Sequence, residues 1–61
     1  METMNISTTF GLYRFTYVDE KHQELFSCLD QTMLEADERY KAVYGIKPEF
    51  VKNLRVIKEE V

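Results

Sequence analysis

Residues 19–44 read DEKHQELFSCLDQTMLEADERYKAVY, twenty-six positions without Gly or Pro. They are rich in Glu, Leu, Lys, Gln, Met and Ala, all good helix formers, and Asp19 suits an N-cap. On a wheel at about 100° per residue, His22, Leu25, Phe26, Leu29, Met33, Ala36, Tyr40, Val43 and Tyr44 form one apolar stripe. Glu35 with Arg39 and Asp37 with Lys41 stand in the favourable i,i+4 order, and Gly45 supplies a C′ stop. The stretch therefore predicts one amphipathic helix over 19–44. Such a helix would be about 39 Å long, longer than a compact monomer of this size is wide, so part of its stripe is expected to meet a second chain.

Outward from that stretch, residues 6–18 are dense in β-branched and aromatic side chains and predict one strand or two short ones. Ile6, Thr8, Phe10 and Leu12 alternate in one phase and Tyr13, Phe15 and Tyr17 in the other, with the switch beside Gly11, where a bulge or turn would re-aim the chain. Residues 1–5 read as a disordered start. After Gly45, Phe50, Leu54, Ile57 and Val61 keep helical spacing with Pro48 at a permitted first-turn position. However, Leu54-Arg55-Val56-Ile57 is β-branched, and a lone strand needs a partner for its backbone groups. A strand over 53–60 is preferred. The fold class is α+β in β-α-β order: one long amphipathic helix on a small sheet, completed by dimerisation.

The chain has 61 residues and one cysteine, and a domain this small buries only roughly 60% of the surface that its unfolded chain exposes. Cys28 has no disulfide partner, and Cys28 with His22 falls short of a zinc ligand set. Oligomerisation is the remaining common supplement. Eight basic against eleven acidic residues, for a net charge of −3, argue against direct nucleic-acid binding. No apolar run approaches a membrane span of about 18 residues. A single thiol with no export signal fits the cytoplasm.

Val18-Asp19-Glu20-Lys21-His22-Gln23-Glu24-Leu25-Phe26 resembles the first metal-ligand helix of hemerythrin-like proteins. With a single His the chain cannot supply the ligands of a di-iron site, even as a dimer, so that reading is rejected and His22 is assigned to packing. Cys28 lies about 120° around the helix from His22, its sole candidate base, and reads as a small core hydrophobe. No cofactor, metal or catalytic set is expected.

What remains is binding. Glu20, Glu24, Glu35 and Glu38 cluster on the wheel opposite the stripe, and residues 1–46 carry eight acids against four bases. That face is either plain solvated surface or a negative patch that imitates phosphates. Leu34 sits among polar wheel positions, and Tyr13 and Tyr17 are the candidate aromatic anchors. Partner-binding candidates are thus Tyr13, Tyr17, Glu20, Glu24, Leu34, Glu35 and Glu38.

The order of an aromatic strand, an acidic helix ending near Tyr40 to Tyr44, and a strand containing Leu54-Arg55-Val56 is similar to phage-encoded inhibitors of bacterial RNA polymerase. Val43-Tyr44-Gly45 followed by Leu54-Arg55 resembles the end of the phage inhibitors of uracil-DNA glycosylase, which are dimeric DNA mimics. The resemblance implies a non-catalytic inhibitor or adaptor, encoded by a phage and directed at a host nucleic-acid enzyme. The competing class is a structural or assembly subunit whose helix stripe drives oligomerisation.

Overall fold

The computed structural model describes residues 11–61. It contains strand β1 (Tyr13–Val18), strand β2 (Glu24–Asp30), helix α1 (Met33–Tyr44), a single 3₁₀ turn (Pro48–Phe50) and strand β3 (Arg55–Glu60). The sheet order is β2-β1-β3, with β1 antiparallel to both neighbours. β2 and β3 therefore run parallel to each other with β1 between them, so β2-α1-β3 is a split β-α-β unit. The fold is α+β, as the sequence predicts. The strand expected over 53–60 is present as β3, with Asn53 in a turn at φ 62°. The start expected to be disordered, residues 1–5, and the alternating positions Ile6, Thr8 and Phe10 lie outside the described residues.

The helix is the correction. Only Met33–Tyr44 is helical, and residues 24–30 of the expected helix are β2. Tertiary demand decided this: the inner strand β1 presents backbone donors and acceptors along both edges, and Glu24–Asp30 fills one of them. Its period is two. Phe26, Cys28 and Asp30 oppose Tyr17, Phe15 and Tyr13, while Ser27 and Leu29 oppose Thr16 and Arg14 on the other face. Asp19 does not cap a helix either. Its Oδ1 accepts the backbone N–H groups of Lys21 and Gln23 at 2.8 and 2.9 Å, which closes a hairpin loop with His22 at φ 64°. An Asp that accepts nearby backbone N–H groups suits a turn as well as a helix N-terminus. His22 is consequently exposed and is not a packing residue. A helix of twelve residues is about 18 Å long, so the length argument for a second chain falls away.

The true N-cap is Thr32. Its hydroxyl accepts from Glu35 N–H at 3.2 Å, and the Glu35 carboxylate accepts from Thr32 N–H at 3.3 Å, a reciprocal capping box. At the other end Gly45 adopts φ 76°, ψ 9°, and its N–H donates to the Lys41 carbonyl at 2.7 Å. Thr32→Ala should lower stability by about 1 kcal/mol, read as a shift of the urea midpoint at unchanged slope. An unshifted midpoint would show the cap to be dispensable.

Helix α1 packs on β2 and covers one face of the sheet. The core is Phe15, Tyr17, Ala36 and Tyr40, with Tyr13, Phe26, Cys28, Val51, Leu54 and Val56 packed against it. Ring centroids of Tyr17 and Tyr40 are 5.0 Å apart, those of Tyr40 and Tyr44 4.6 Å, and Phe26 stands edge-on to Tyr40 at 5.9 Å. Each such pair adds about 0.5–1.5 kcal/mol beyond its burial. The Tyr44 hydroxyl donates to the Leu25 carbonyl, tying the end of the helix to the start of β2.

Candidate acidic groove between the helix and the 3₁₀ turn

The flank of α1 that faces away from β2 is decided by the chain after Gly45. Pro48 is buried and opens the 3₁₀ turn, with its φ already suited to a first-turn position. This brings the turn against the first half of the helix. Leu34, Asp37 and Glu38 from α1 then line a shallow groove of about 170 Å³ with Lys47, Pro48 and Glu49. Three carboxylates and one ammonium border it, and Leu34 with Pro48 supplies apolar wall. Leu34 is 75% exposed, a large unburied side chain at the rim. Ligand pockets for drug-sized molecules run to about 300–1,000 Å³. This groove is too small and open to enclose such a molecule, and suits one side chain of a partner, an apolar stem ending in a cation.

Asp37 is anchored from beneath. The buried Tyr17 hydroxyl donates to its Oδ1 at 2.6 Å. Burial first, then that hydrogen bond, push the Tyr17 phenol far above its ordinary value, so it stays a donor. Neither i,i+4 ion pair expected from the sequence is the one formed. Arg39 turns instead to Asp30, its Nε 2.9 Å from both carboxylate oxygens, because Asp30 is only 5% exposed and a buried carboxylate needs a counter-charge. Cys28 lies on the same sheet face. Burial, followed by the influence of the Asp30 carboxylate, pushes the thiol up to about 11. A thiol held protonated is a poor nucleophile and metal ligand.

Of the residues singled out in the sequence, the fold brings Leu34 and Glu38 together at the groove. Tyr17 is fully buried, so it is no outer anchor, and Tyr13 is half-buried, because strand alternation puts 13, 15 and 17 on the face that the helix covers. Tyr13 packs edge-on to Phe15 and carries the Lys58 ammonium 4.1 Å from its ring centroid. Glu20 sits in the β1–β2 loop, where its carboxylate accepts from Asn53 Nδ2 at 2.8 Å, and Glu24 opens β2. Glu35 is spent on the capping box. The single acidic face drawn on the long helix is thus divided between a hairpin and a short helix. Asp37, Lys47, Pro48 and Glu49 were missed. Asp37 sits one turn after Leu34, a spacing visible in the sequence, whereas the approach of residues 47–49 was not visible.

Among the described residues no His, Cys, Asp or Glu group of three or more is placed to hold a metal ion, and no helix is long and apolar enough to cross a membrane. Comparison with protein-family models, with curated proteins and with solved structures returns no match.

Proposed function

We propose that this chain is a non-catalytic protein-binding module, an inhibitor or adaptor that seats a basic segment of a cellular protein in the groove between α1 and the 3₁₀ turn. The observation that carries this is the convergence of the exposed Leu34 with Asp37, Glu38 and Glu49 around Pro48, an apolar contact ringed by negative charge. Aromatic core and sheet hold that rim in place, so little ordering cost falls on binding. Negative charge at the rim speeds encounter with a basic surface and rejects acidic ones. A nucleic-acid enzyme of a host cell presents such a basic surface, which makes a cytoplasmic, phage-encoded inhibitor the finer form of the reading.

The assembly-subunit alternative relied on a free helix stripe. Ala36 and Tyr40, the centre of that stripe on the helix as found, are buried against the chain's own sheet, which leaves only Met33, Val43 and Tyr44 of it exposed to a second chain.

Affinity capture from bacterial lysate with the parent chain and with the double variant Leu34→Lys, Glu38→Lys tests the reading. A partner retained by the parent and lost by the variant, both showing the same thermal transition, supports it. A partner held equally by both, or none retained above background, overturns it.

A further inference from the structure

We propose that the outer edge of β3 pairs with the same edge of a second copy, joining two sheets into one continuous antiparallel sheet. Among the described residues β3 is an edge strand, and α1 packs on β2 at the far side, so no other described element lies along the outer edge of β3. Edge strands that stay alone are blunted by charges that repel a copy of themselves. The charges of β3 do the reverse. Around a two-fold axis normal to the sheet, residues of one face must meet residues of the same face, so the sum of two paired residue numbers is even.

Centred on Ile57, the register places Arg55 opposite the second copy's Glu59, Val56 opposite Lys58, Ile57 opposite Ile57, and Glu59 opposite Arg55, from the sequence Arg55-Val56-Ile57-Lys58-Glu59. Both ends are oppositely charged and the centre is apolar. Ile57 is 43% exposed on the face opposite the helix, beside Thr16 of β1. Sliding one even step toward the C-terminus sets Lys58 against Lys58, and sliding the other way sets Arg55 against Ile57; both lose the ion pairs. The contact is isologous and closes at two copies. It replaces the dimer through helix stripes with one through the sheet, and it does not depend on the groove.

Sedimentation velocity of the full chain over a range of concentrations tests it, with Arg55→Glu, Glu59→Arg and the pair combined. Cross-strand pairs contribute about 0.2–1 kcal/mol each, and each single variant turns two attractions into repulsions. Each should weaken the dimer at least tenfold. The double variant restores opposite charges and should recover the parent's affinity to within about threefold. Because Glu59 also lies opposite Arg14 within the chain, thermal melts of each variant separate unfolding from dissociation. As a second measurement, Ile57→Cys should form a disulfide-linked dimer on mild oxidation, faster than Lys58→Cys. A parent that stays monomeric at every concentration, a double variant no better than the singles, or faster crosslinking at 58 than at 57 would overturn the proposal.

Discussion

Replacing Tyr40 with Ala leaves the chain unfolded at 25 °C. Tyr40 is 3% exposed and its ring lies within 6 Å of three others, those of Tyr17, Phe26 and Tyr44. Truncating a buried aromatic to Ala costs about 3–5 kcal/mol through lost burial and the cavity left behind, and the lost aromatic pairs belong to the same sum. Small domains hold roughly 0.05–0.15 kcal/mol per residue in total, so for a chain of 61 residues that cost is comparable with the whole stability. The helix is fastened to the sheet chiefly through this residue and Ala36, so the helix signal should vanish together with the tertiary signal. Far-ultraviolet circular dichroism with urea titration reads the result, and Tyr40→Phe, which keeps the ring, should remain folded. A Tyr40→Ala variant that unfolds cooperatively within about 1 kcal/mol of the parent would show that the core lies elsewhere.

The fold should also lose stability steeply above pH 9. In the unfolded chain Cys28 ionises near its ordinary value of 9.0 and Tyr17 near 10.0. In the folded chain burial raises both, the thiol to about 11 and the Tyr17 phenol further still. Between these values the unfolded state binds fewer protons than the folded one, so stability falls as pH rises. The contribution is complete below about pH 9 and is lost through pH 11 for the thiol, with Tyr17 adding to the loss above pH 10. Each proton difference is worth about 1.4 kcal/mol per pH unit, which makes the thiol's share on the order of 2–3 kcal/mol. Urea midpoints at pH 7, 9, 10 and 11 check this. Cys28→Ala should reduce the fall between pH 9 and 11, and Tyr17→Phe should reduce the part of it above pH 10. A parent midpoint constant from pH 7 to 11 would mean that neither group is shielded from water as the structure has it.

Local chemistry in the sequence determined several features outright. Gly45 marks the end of the helix because a residue without Cβ adopts a positive φ at little cost. Thr32-Met33-Leu34-Glu35 is a capping-box pattern legible without coordinates, although the uninterrupted run of helix formers around it hid the boundary. The β-branched run after Leu54 becomes β3, and Leu34 stands out as a large side chain with nothing to bury it.

Only tertiary structure decided between helix and strand for Glu24–Asp30, because that segment carries apolar residues at both periods and the choice falls to whichever partner is on hand. Once the inner strand took it, Tyr17 turned inward, Arg39 left Glu35 for Asp30, and the acids gathered on one imagined helix were parted. The groove arose in the same way: its far wall comes from residues 47–49, which a buried proline folds back against the helix. Nearest-neighbour preferences extend over a turn or a hairpin, whereas contacts between distant segments depend on where the whole chain leaves room.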